Sequence, residues 1–76
     1  MNLHDFNIYN DNDLFIIESM TNSAIHFMDN LNNDIQWQEL TCTSEETIHI
    51  TNNKNTIDSF INHLNINNVN YTNFIN

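Results

Sequence analysis

Glycine, proline and arginine are missing from this chain of 76 residues, and lysine occurs once, at Lys54. Without glycine or proline the usual turn punctuation is gone. Any position that needs φ > 0 therefore falls to Asn or Asp, which tolerate it best among the rest. The clusters at Asn10 to Asp13, Asn30 to Asp34, Asn52 to Asn55 and Asn67 to Asn68 mark where the chain is expected to turn. No glycine-rich loop and no phosphate-site lysine is present, so the nucleotide-binding signatures are excluded. The single cysteine, Cys42, excludes an intramolecular disulfide and suits a reducing compartment. No cationic stretch precedes an apolar run at the N-terminus, and no apolar run approaches the ~18 residues that span a bilayer, which predicts a cytoplasmic protein with no membrane contact. The sequon Asn70-Tyr71-Thr72 is then a chance match.

The missing cations carry the most information. Asn and Ile are read from A- and T-rich codons, and so is lysine, so compositional drift alone fills a surface with all three. Here lysine alone is depleted, which reads as a selected property. Ten carboxylates stand against Lys54, for a formal net charge of -9. Internal salt bridges cannot neutralise them. Their field attracts basic partners and repels nucleic acid and anionic membranes.

Hydrophobic residues make up 39% of the chain, eight of them aromatic, enough for the core of a single small domain over 1–76. "LHDFNIYN" alternates at Phe6 and Ile8 as a short strand or ordered arm. From Asp13 to Leu31, Leu14, Ile17, Thr21, Ala24, Met28 and Leu31 fall on one helical stripe, widened by Phe15, Ile16, Met20 and Phe27, with Asp11 or Asn12 as cap. A competing reading makes "LFIIES" a strand and starts the helix near Thr21; the single long helix is preferred. "DIQWQELTCT" and "TIHIT" alternate as an antiparallel hairpin closed by "TSEE", with a bulge near Glu39. Asn55 or Thr56 caps a second helix over "TIDSFINHLN", and Val69 and Tyr71 begin a further strand. The expectation is an α+β domain: long N-terminal helix, antiparallel β-hairpin, second helix, and extra short strands at the termini. The long helix is apolar over more than half its circumference, and that excess suits a homodimer.

Motifs for chemistry are sparse. "DND" at Asp11 to Asp13 opens like an EF-hand loop, but Phe15, Ile16 and Asn22 stand where an oxygen ligand, glycine and glutamate are required, so helix capping is the better reading. His4, His26, His49, His63 and Cys42 lack metal-site spacing, although Cys42 and His49 meet on the expected hairpin. Cys42 with a histidine, or Glu39 with Glu45 or Glu46, lacks the shaped pocket that catalysis needs. Neither an enzyme nor a metal or cofactor is expected.

The carboxylates remain. On the expected long helix Asp11, Glu18 and Asp29 share an azimuth, and Asp34, Glu39, Glu45 and Glu46 cluster on the hairpin. Together they form a row of charges able to stand for phosphates, with Tyr9, Trp37 and Tyr71 as candidate anchors. In size, charge and lysine depletion the chain resembles the small acidic inhibitors that phages and mobile elements encode against host nucleic-acid enzymes, anti-CRISPR proteins and other DNA mimics among them. That resemblance implies occupancy of a basic groove on a CRISPR effector or other nuclease, a glycosylase or a repressor. The alternative is an interaction module or antitoxin-like partner acting through the apolar face of its long helix, with acidity only for solubility.

Overall fold

The computed structural model describes residues 5–31, 40–43 and 47–75. In chain order these form β1 (Asp5–Asp11), β2 (Leu14–Ser19), α1 (Asn22–Leu31), β3 (Thr41–Cys42), β4 (Ile48–Thr51), α2 (Lys54–Ile66) and β5 (Asn70–Asn73). The sheet runs β3-β4-β2-β1-β5, antiparallel throughout except for the parallel pairing of β5 on β1. Both helices pack on one face. Phe6 of β1 meets Phe27 of α1 at 5.8 Å and Phe60 of α2 at 5.4 Å between ring centroids, both edge to face. Around it Ile8, Ile17, Ala24, Met28, Ile57 and Leu64 are fully buried. The expected α+β class holds.

The long N-terminal helix does not. Leu14–Ser19 is a strand, and the helix begins only at Asn22, where Thr21 Oγ1 accepts the Ala24 N–H at 3.0 Å as its N-cap. Two causes combine. Phe15, Ile16 and Ile17 are aromatic or β-branched and favour a pleated backbone. The Asn12-Asp13 turn then folds this segment onto β1, pairing Ile8 with Ile17 and Tyr9 with Ile16. Asp11 to Asp13 therefore end a strand and make a turn; they cap no helix.

Among the described residues, asparagine takes glycine's place at two turns that need φ > 0. Asn12 has φ 55° in the β1–β2 turn, and Asn68 has φ 54° after α2. At the second, Val69 N–H donates to Leu64 O at 2.9 Å and Asn68 N–H to Asn65 O at 3.2 Å. That is the Schellman pattern, with Val69 and Leu64 both in the core. At its start α2 is capped two or three residues earlier than expected: Asn53, and neither Asn55 nor Thr56, is the N-cap, accepting the Asn55 N–H on its Oδ1 at 2.9 Å. β3 and β4 form the expected antiparallel hairpin, and β5 is the expected further strand. The bulge near Glu39 lies outside the described residues.

Candidate functional site

Alternation sorts the strands into two faces. Phe6, Ile8, Ile17, Ser19, His49 and Thr51 point at the helices and are buried. Asp5, Asn7, Tyr9 and Asp11 of β1, Leu14, Ile16 and Glu18 of β2, and Ile48 and Ile50 of β4 point the other way, where neither helix packs.

On this open face the register lines up an apolar row across the sheet. Ile50 opposes Ile16 and Ile16 opposes Tyr9. Phe74 follows Asn73, the partner of Ile8, and its N–H continues the ladder by donating to Ile8 O at 2.7 Å, which sets it level with Tyr9. Phe74 is 56% exposed; Tyr9, Ile16 and Ile50 are half-buried. Leu14 and Ile48 widen the row.

Carboxylates border it on both sides. Glu18 lies opposite Asn7 and Ile48 on one flank, and Asp11 opposite Leu14 on the other. Asp5, level with Asn70, extends the first flank, about 20 Å from Asp11 at ~3.4 Å per residue. Glu18 Oε1 accepts from Asn7 Nδ2 at 3.5 Å. Partial burial, the charge of Glu18, a hydrogen bond to it and the charge of Asp11 push the Tyr9 phenol above its ordinary range. Among the described residues no Lys or Arg stands on this face. Lys54 is on α2, where its Nζ pairs with Asp58 Oδ1 at 3.1 Å.

Of the expected partner-binding residues, Asp11 and Glu18 share this face, on its opposite flanks, and stand on two strands and not on a helix. Asp29 is parted from them. It is exposed on α1, in the helical layer, close enough to oppose through its charge the burial that lowers the His49 pKa. The shared helical azimuth of the three is overturned because the first two are not helical. Asp34, Glu39, Glu45, Glu46 and Trp37 lie outside the described residues. Tyr9 is on the open face, whereas Tyr71 belongs to the core side and donates its hydroxyl to Asn65 Oδ1 at 2.7 Å.

Cys42 does oppose His49. Among the described residues, however, no three His, Cys, Asp or Glu side chains form a metal-holding group, and no cavity of ligand size opens. The residues that sequence reasoning missed are Asp5, Leu14, Ile16, Ile48, Ile50 and Phe74. The competing strand reading of "LFIIES" contained the signal for three of the face's residues, since it sets Leu14, Ile16 and Glu18 on one side. Comparison of the chain with protein families, with curated proteins and with solved structures gave no match.

Proposed function

We propose that this protein is a non-enzymatic inhibitor that sets its open sheet face into the basic nucleic-acid-binding groove of another protein in the cytoplasm of the host cell. The observation that carries the reading is an apolar row bordered on both sides by carboxylates, with no cation beside them among the described residues. Asp5, Asp11 and Glu18 share a face with no Lys or Arg among the described residues, while the one lysine is paired with Asp58 in the other layer. A solubilising coat requires net charge of either sign but no aligned apolar row between its carboxylates. Charge steering gives fast association that slows as salt rises, and the apolar row slows dissociation. CRISPR effectors, other nucleases, glycosylases and repressors all offer grooves of the required sign.

The interaction-module alternative relied on a long apolar helix, and that element is absent: Leu14 and Ile16 belong to the sheet, and the apolar side of α1 is filled by Ala24, Met28 and Leu31 in the core. A homodimer through the open face is disfavoured as well, because a second copy sets carboxylate against carboxylate.

The test is a pull-down from bacterial lysate on the immobilised chain at low salt, washed with excess DNA, both single- and double-stranded, and then with high salt. Capture of nucleic-acid-binding proteins that both washes release is the expected result. A partner indifferent to both contradicts the reading.

A further inference from the structure

A duplex and a single strand show different exteriors to a protein. The duplex turns phosphates and polar groove edges outward and keeps its base faces stacked inside. A single strand offers phosphates beside flat, apolar base faces. Grooves built for single strands answer with basic walls and exposed aromatic side chains on which the bases stack.

The open face matches the second exterior. Its centre is the row Phe74, Tyr9, Ile16, Ile50, and its charges stand to either side of that row. Against a duplex-binding surface an apolar centre strips water from polar groups and returns no hydrogen bonds. Against an aromatic platform it buries apolar area on both partners. A patch of this kind, apolar within and polar at the rim, has the anatomy of a protein interface.

We infer that the target groove is one built for single-stranded nucleic acid, with the Phe74-Tyr9-Ile16-Ile50 row on its base-stacking aromatics and Asp5, Asp11 and Glu18 facing the cations of its walls. This rests on the groove-occupancy reading above and narrows it to one class of partner. The acidic flanks select that partner over a second copy of this chain, which is equally acidic.

The experiment uses two peptides of equal charge as probes, one alternating Lys and Trp and one alternating Lys and Gly, titrated into the isotopically labelled full chain at about 150 mM salt. The expected result is about tenfold tighter binding of the Trp peptide, with amide shifts at Tyr9, Ile16, Ile50 and Phe74. Phe74→Ala, at an exposed position beyond the last strand, keeps the dispersed spectrum of the folded chain and removes most of that preference. Equal affinity for the two peptides, no binding of either, shifts confined to α1 and α2, or an unchanged preference in Phe74→Ala each overturn the inference. The pull-down keeps the two readings apart. Partners released by duplex but not by single strands leave groove occupancy standing and sink the single-strand inference, whereas partners released by neither sink groove occupancy itself.

Discussion

The two faces of the β1–β2 hairpin are drawn from alternate residues of one stretch, Asp5 to Ser19, and differ in chemistry. Phe6, Ile8 and Ile17 make one face mostly apolar where the helices cover it, with Ser19 its buried polar residue. Across the backbone, Tyr9 and Ile16 sit between Asp5, Asp11 and Glu18. A face meant only for solvent has no use for an aligned apolar row, and a face meant for a core excludes carboxylates. A mixed face with charges at the rim fits a surface that is covered part of the time.

The largest expected effect separates the faces directly. Phe6→Ala removes a buried ring that both helices pack against and costs about 3–5 kcal/mol, enough to unfold a domain this small. Phe74→Ala costs within about 0.5 kcal/mol, as surface substitutions do. Urea melts of the two variants measure this, and comparable losses make the open face a second core face.

Titration sharpens the contrast. On the covered face burial holds His49 below its ordinary value, with the charge of Asp29 opposing it. The unfolded chain therefore takes up a proton near pH 6.5 that the folded chain refuses. Stability is full above that value and falls as pH drops toward the lowered folded one. In urea midpoints at pH 7.5 and 5.5, His49→Gln flattens the fall; an unchanged fall assigns it to other groups. On the open face the Tyr9 phenol is held above its ordinary value by partial burial and by Glu18. Glu18→Gln brings its titration, followed by carbon NMR, back toward about 10, and Asp29→Asn leaves it in place. The smallest effect belongs to Lys54, whose exposed i,i+4 pair with Asp58 is worth a few tenths of a kcal/mol. Lys54→Ala shifts the urea midpoint by no more than that and leaves partner capture intact.

What the chain disclosed by local pattern, and what it hid, follows from the same two faces. Ile57, Phe60, Ile61 and Leu64 pack one side of α2 against a single layer, so helical spacing is plain. The Asn clusters marked Asn12 and Asn68 because without glycine φ > 0 has few other occupants. The pairing of Cys42 with His49 came from hairpin alternation. β2 resisted because both its faces are apolar: with Ile16 and Leu14 outward and Ile17 inward, period-two alternation vanishes and a helical stripe through Leu14, Ile17 and Thr21 fits as well. The residues that make the open face a candidate site are the ones that disguised its strand. The parallel docking of β5 beside β1 is a distant contact with no local mark, so Phe74 was out of reach.

The most direct test of the account compares Glu18→Gln with Asp29→Asn in the lysate capture at low salt. Each removes one negative charge, so net charge is matched and only the face differs. The account predicts that Glu18→Gln weakens capture of the DNA-releasable partner and reduces its salt sensitivity, while Asp29→Asn leaves both near wild type. Equal losses from the two variants, or a larger loss from Asp29→Asn, contradict it.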